Sequence, residues 1–168
     1  IFACDLLNDQ KECAEHRMLV DLARNDVGKF SERNSVIVKN LMHIKHYQHV
    51  MHIVTEVFGK KRADKSIFDI LSSTFPAGTL SGTPKIRAME IIEELEPTKR
   101  KAYTGALGYI GFNNVADLNI AIRTVIINNN KAYFQVGGGV VWDSEAEAEY
   151  EESLLKGKAL RKALIGEC

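Results

Sequence analysis

The chain has 168 residues, 45% of them hydrophobic and 26% charged, with 22 Lys plus Arg against 22 Asp plus Glu. That length predicts one domain with a real core, and the charge balance excludes an overall basic field for nucleic acid, so anion recognition has to be local. No apolar run reaches the length of a membrane span, no signal peptide is visible, and Cys4, Cys13 and Cys168 are too scattered for a disulfide framework, which fits a reducing cytoplasm.

The chain opens Ile1-Phe2-Ala3-Cys4-Asp5 without an initiator Met and enters a helical pattern almost at once, so it reads as a piece of a longer polypeptide. A helix is predicted from Asp9 to Asn25. Glu12, Glu15, Leu19 and Leu22 follow helical spacing, and Asn25-Asp26 and Gly28 supply the stop. Glu12 and Glu15, one turn apart, either face solvent or bind a hard cation directly and through water.

Ser35 to Val38 is a short β-rich run. His43, His46, His49 and His52 then recur at every third residue. A tetrahedral metal site needs ligands converging from separate elements, and these histidines straddle a loop and a strand, so no zinc site is expected. The strand runs from His49 to Phe58. Val50, His52, Val54, Glu56 and Phe58 share one face, and Met51, Ile53, Thr55 and Val57 the other. His52, held within an apolar strand, remains a candidate.

Ser66 and Asp69 form a capping box for a short helix through Leu71. The loop from Phe75 to Lys85 carries Gly78, Thr79, Ser81, Gly82 and Thr83 just before a helix expected from Pro84 to about Leu95, with Thr83 as N-cap. Such a loop suits either an anion or a tight packing corner. Ala88, Ile91, Ile92 and Leu95 should give the helix a buried face.

The last third is strand-rich. Gly105 to Phe112 holds small residues where something approaches the backbone, and Asn113-Asn114 is a turn. Leu118 to Ile127 alternates as a strand. Arg123 within it should be buried, meeting either an internal partner or a ligand carboxylate. Asn128-Asn129-Asn130 predicts a hairpin to Ala132–Val136. Gly137, Gly138 and Gly139 then lead into an acidic helix, with Ser144 as N-cap and Glu147 completing a capping box. Glu145, Glu149, Glu152 and Lys156 share a face of that helix. A backbone-donor loop beside carboxylates suits an anion held partly through a divalent cation, though acidic first turns also arise simply to meet the helix dipole.

Together these motifs, Glu12-Cys13-Ala14-Glu15-His16 through Asp26, His49 to His52, Gly78 through Lys85 to Glu90, Ala121 to Thr124, and Gly137 to Gly139 with its acidic helix, resemble the chorismate-utilising enzymes. The resemblance covers nearly the whole chain. It implies an α+β fold, antiparallel sheets packed together with flanking helices, of which residues 1–168 would be the C-terminal portion of one catalytic domain. It implies that Glu15 and Glu152 bind Mg²⁺, supported through water by Glu12 and Glu149. It implies that Tyr103, Arg123, Gly137, Gly138 and Gly139 hold the carboxylates of chorismate, that Thr79 lines the site, that Lys156 balances its charge and that His52 is the acid–base candidate. Ammonia would come from a glutamine amidotransferase partner. In the family a Pro-Ile-x-Gly-Thr segment that separates aminodeoxychorismate synthase from anthranilate synthase lies upstream of the position of Glu12, before this sequence starts. The glycine triplet and Asp117-Leu118-Asn119 favour aminodeoxychorismate synthase, with anthranilate synthase the alternative and a non-catalytic chorismate-binding module the second alternative. A piece lacking upstream strands would leave sheet edges uncovered, which favours self-association.

Overall fold

The computed structural model describes residues 3–46 and 51–166. The chain divides into two compact units, Ile1–Met89 and Glu90–Cys168. Its class is α+β, with helices and antiparallel β-hairpins.

Unit 1 is built on one long helix. α1 (Ala3–Asn8) leads into α2 (Gln10–Gly28), and the hairpin of β1 (Ile37–His46) and β2 (Met51–Phe58) packs on α2 together with α3 (Ile67–Thr74) and α4 (Gly78–Ser81). Asp9 caps α2, its carboxylate accepting from the N–H of Lys11 and Glu12 at 2.9 and 3.1 Å. The helix continues past Asn25, where the sequence predicts its end. Asp26 acts as a buried helical residue paired with two lysines, and a residue so held inside does not break the helix.

Of the short run predicted at Ser35–Val38, Ile37 and Val38 begin a longer strand. β1 pairs with β2 from Ile37↔Phe58 to Lys39↔Glu56, slips, and resumes from His43↔Val54 to His46↔Met51. Asn40 and Met42 take positive φ of 49° and 55° at the slip, a bulge that hides the alternation from a period-2 reading. His43 and His46 therefore lie on a strand, not in a loop. His49 and Val50 lie outside the described residues. On β2 the predicted alternation holds except at Val54: Met51, Ile53, Thr55 and Val57 are half-buried and His52, Glu56 and Phe58 are exposed, but Val54 is half-buried too.

The capping box at the start of α3 is present, Ser66 N–H donating to Asp69 Oδ2 at 2.8 Å and Asp69 N–H to Ser66 Oγ at 3.2 Å. The helix runs one turn further than Leu71. The Ser66 hydrogen bonds hold the Asp69 carboxyl below its usual range. A depressed carboxyl stabilises the fold above its unfolded pKa and loses that contribution as pH falls through the folded value. Ser66→Ala is thus expected to lower the melting temperature at neutral pH, with the gap to wild type closing in acid. A gap that stays constant across the titration would show that the box contributes no ionic component.

α5 (Lys85–Leu95) begins one residue later than expected and crosses the boundary between the units. Of its predicted buried face, Ala88 and Ile92 are half-buried, while Ile91 and Leu95 are 38% and 72% exposed. The described residues do not cover that face.

Unit 2 holds two hairpins and a helix: β3 (Ala106–Ile110) with β4 (Ala116–Ile120), β5 (Ile126–Asn128) with β6 (Lys131–Tyr133), and α6 (Ala146–Ile165). Gly108 lies so close to β4 that a Cβ there would meet the Asp117 carbonyl oxygen at 1.9 Å, the approach that the small residues of this stretch predict. Asn129 and Asn130 both take positive φ, 49° and 57°, as a two-residue hairpin turn demands. β6 ends at Tyr133, short of the predicted Val136.

The strand predicted from Leu118 to Ile127 is two strands. Pairing ends at Ala121, whose N–H donates to Gly105 and whose carbonyl accepts from Thr104, both at 2.9 Å, and Arg123 then turns with φ of 52°. Arg123 is exposed, not buried in a strand. Buried apolar residues among those described are Cys13, Leu22, Phe30 and Ala121, a smaller core than the length predicts. The physical reason is that each sheet has two strands and leaves a face open. No helix among the described residues is long and apolar enough to cross a membrane.

Candidate functional site

Unit 2 gathers most of the predicted substrate-binding residues around the glycine loop. The backbone pair between Ala121 and Thr104–Gly105 lies one residue from Tyr103 and two from Arg123, so one short ladder fixes both side chains. Tyr103 is half-buried, and its hydroxyl would lie 3.2 Å from a Cβ placed on Gly137. Burial pushes the phenol up from its usual pKa, while the charges of Arg100 and Arg123 pull it back, so Tyr103 remains a neutral O–H donor at physiological pH.

Arg100 was not singled out from the sequence. Its guanidinium grips Glu96, with Nη2 to Oε1 at 2.6 Å and Nε to Oε2 at 3.0 Å, and lies 5.8 Å from the centre of the Tyr103 ring. The Glu96 hydrogen bonds raise its pKa. The signal available in the sequence is a Glu-x-x-x-Arg pair spanning Pro97, which reads more simply as the end of a helix.

α6 brings up the acidic side. Gly157 is buried, and a Cβ on it would meet Val136 Cγ1 at 3.3 Å and Phe134 Cε2 at 3.4 Å, so the helix seats directly on the segment that delivers the glycine loop. A Cβ on Gly138 would lie 3.1 Å from Glu149 Oε2 and 3.8 Å from both Lys156 Nζ and Ser153 Oγ. Lys156 pairs with Glu152 one turn earlier. Gly138 therefore faces a mixed carboxylate–ammonium surface, and Gly139 beside it is exposed. Tyr103, Arg123, Gly137, Gly138, Glu149, Glu152 and Lys156 thus belong to one neighbourhood.

The predicted capping box at Ser144 and Glu147 does not form. Glu145 is the N-cap of α6, with no side-chain capping bond, and so stands outside the helical face that Glu149, Glu152 and Lys156 share. The Ser144 hydroxyl is taken by other partners: it accepts from Val141 N–H at 3.0 Å and donates to Glu149 Oε1 at 2.6 Å. The hydroxyl oxygen accepts from Val141 N–H rather than from the backbone N–H groups of the first turn, and its proton goes to the charged Glu149 carboxylate.

In unit 1, α2 is the common support. Glu12 is exposed and Glu15 half-buried, with Lys11 Nζ 4.0 Å from the Glu15 carboxylate. His52 stands on the exposed face of β2, opposite Lys45 in register, and is not enclosed by apolar neighbours. His16 is half-buried, as is His43 on β1; His16 Nε2 lies 2.6 Å from Thr55 Oγ1, which accepts from Met42 N–H at 2.9 Å. Burial lowers the His16 pKa and favours the neutral ring. Its sequence signal, a histidine beside Glu15 on the helix, was eclipsed by the periodic histidines that follow.

Thr79 is exposed on α4. The loop around it is a packing corner, since a Cβ on Gly78 would meet Leu22 Cδ2 at 2.1 Å. Behind it Lys85 Nζ donates to Asp26 Oδ2 at 2.6 Å and to the Thr74 carbonyl at 3.3 Å. A cleft of about 320 Å³ lies beside this pair, lined by Leu22, Asn25, Lys29, Thr83, Pro84 and Ile86 among others.

The donor chemistry fits a hard divalent cation. Glu149 and Glu152 lie one turn apart on α6, and Glu12 and Glu15 one turn apart on α2. Mg²⁺ keeps several waters and takes one or two protein carboxylates, so a pair is the right size of donor set. No group of three or more His, Cys, Asp or Glu side chains arranged to hold a metal occurs among the described residues.

Residues 2–162 match the family profile described as chorismate binding enzyme. The chain belongs to the chorismate-binding enzyme family. Chorismate-binding relatives include the anthranilate synthase component 1 of Acetivibrio thermocellus, 59% identical over 95% of this chain and 32% of its own length. That of Aquifex aeolicus is 53% identical over the same shares. The crystal structure of anthranilate synthase component I from Streptococcus pneumoniae TIGR4 superposes with a TM-score of 0.88 at 51% identity, over 93% of this chain and 36% of that one. A Bacillus anthracis structure described as a 2,3-dihydroxybenzoate-specific isochorismate synthase superposes at 0.85 with 28% identity, over 96% of this chain and 43% of that one. The chain therefore spans about a third of the curated relatives it matches.

Proposed function

We propose that this chain forms part of the catalytic domain of an anthranilate synthase component I, converting chorismate and ammonia to anthranilate, pyruvate and water with Mg²⁺, the ammonia delivered by a glutamine amidotransferase partner. The observation that carries it is the 59% identity to a relative of that name across 95% of the chain. The neighbourhood around Gly138 supports it. Arg123 and the neutral Tyr103 hydroxyl offer donors for a substrate carboxylate, the open backbone at Gly137 to Gly139 lets that group approach, and Lys156 offsets part of the acidic charge. Glu149 and Glu152 of α6, and Glu12 and Glu15 of α2, are the carboxylates for Mg²⁺, which when bound neutralises substrate carboxylate charge. Thr79 and His52 retain their proposed roles, in lining the site and in proton transfer.

Aminodeoxychorismate synthesis is the second reading, favoured by Gly137-Gly138-Gly139 and by Asp117-Leu118-Asn119. The names of the relatives support anthranilate better. The complete polypeptide, given chorismate, ammonia and Mg²⁺, is expected to produce anthranilate fluorescence with equimolar pyruvate. Consumption of chorismate with retention of the enolpyruvyl group would establish the second reading instead. Binding of chorismate by calorimetry with no turnover would leave a binding module.

A further inference from the structure

Ser144 occupies a position that neither the helix cap nor the substrate-binding group explains. Its N–H donates to the Val141 carbonyl at 3.0 Å and its Oγ accepts from Val141 N–H at 3.0 Å, closing a reciprocal turn just beyond the glycine loop. The hydroxyl proton is thereby left to point away from that turn, and it meets Glu149 Oε1 at 2.6 Å. This is the short, charge-assisted type of hydrogen bond, roughly twice as strong as a neutral one. Glu149 Oε2 is directed to the Gly138 side, 3.1 Å from where a Cβ would stand. One hydroxyl thus ties the orientation of a carboxylate on α6 to the backbone that follows the glycines. A glutamate side chain has three rotatable bonds, so a hydrogen bond to one of its oxygens narrows the rotamers it adopts.

We propose that Ser144 is a positioning residue: it locks Glu149 in the rotamer that presents Oε2 beside Gly138, and so prepares α6 for Mg²⁺. This rests on the proposed function, in which Glu149 and Glu152 serve the metal. An outer-shell partner of this kind typically changes metal affinity by about 10- to 100-fold. Threonine keeps the hydroxyl and alanine removes it, so the two variants separate the hydrogen bond from the mere presence of a side chain.

The test is Mg²⁺ titration calorimetry on the complete protein. Ser144→Ala is expected to weaken Mg²⁺ binding about tenfold, and Ser144→Thr to restore most of it. In a Glu149→Gln background, Ser144→Ala is expected to add nothing further, because the carboxylate it orients is gone. Unchanged affinity in Ser144→Ala overturns the proposal, as does an equal loss in the Glu149→Gln background. If wild type binds Mg²⁺ and Glu152→Gln abolishes binding while Ser144→Ala is normal, the metal reading stands and only the role of Ser144 falls. Wild-type protein that binds no Mg²⁺ would remove the metal reading and this inference with it.

Discussion

Asp26→Ala is expected to destabilise unit 1 by about 3 kcal/mol, read as a shift of the urea unfolding midpoint at constant slope. Asp26 is 4% exposed and accepts from Lys85 Nζ at 2.6 Å and from Lys29 Nζ at 2.9 Å. Breaking a buried pair by removing one partner typically costs roughly 3–5 kcal/mol because the other charge remains inside. Here the orphan is Lys85, whose side chain is 15% exposed and keeps the neutral Thr74 carbonyl. Lys29 is 47% exposed and turns to water, so its loss counts for little and the total falls at the low end of the range. Lys29→Ala should therefore cost about 1 kcal/mol or less. The double change Asp26→Ala with Lys85→Met should recover part of the loss, since both charges then leave the interior. An Asp26→Ala protein within about 0.5 kcal/mol of wild type would show that the pair is solvated, contrary to its burial.

The second large effect is on function with little change in stability. Glu152→Gln is expected to reduce Mg²⁺-dependent turnover of the complete protein by more than about a hundredfold, beyond what loss of an outer-shell group causes. The Glu152 side chain is 51% exposed and its pairing with Lys156 is an i,i+4 helix contact, which contributes a few tenths of a kcal/mol at most. Melting without Mg²⁺ should thus be nearly unaltered. With Mg²⁺, wild type should be stabilised, more so at neutral than at acid pH where protons compete for the same oxygens. That gain should vanish in Glu152→Gln and in Glu15→Gln and persist in Lys61→Gln. A full Mg²⁺ response in both glutamate variants would mean the metal binds elsewhere.

Features fixed by neighbours along the chain were readable in the sequence. The Ser66–Asp69 box, the Asn129-Asn130 turn, the alternation of β2 and the close approach at Gly108 all depend on contacts within a few residues or on backbone geometry that only certain residues adopt. The family was legible for the same reason, since its motifs are short local strings, and the α+β class with them. Between the two products, local variants around Gly137 and Asn119 point one way and the relatives the other, because a few residues beside a ligand weigh less than similarity over the whole chain.

Where the local rule failed, a competing side-chain partner or a backbone irregularity displaced it. Asp26 looked like a helix stop until Lys85, far along the chain, held it inside α2. Ser144 looked like a cap until its oxygen accepted from Val141 N–H and its proton went to Glu149. The bulge at Asn40–Met42 made one strand of what the pattern reads as a run and a loop, and Arg123 turned where alternation predicted a continuous buried strand. By itself, the sequence determined the family, the α+β class and where α2 and α3 begin. The tertiary structure alone decided that Tyr103, Arg123, Gly138, Glu149 and Lys156 share one neighbourhood and that His16 is half-buried while His52 is exposed. Periodicity assigns a face to a side chain, but burial and charge pairing depend on which other segment lands against that face.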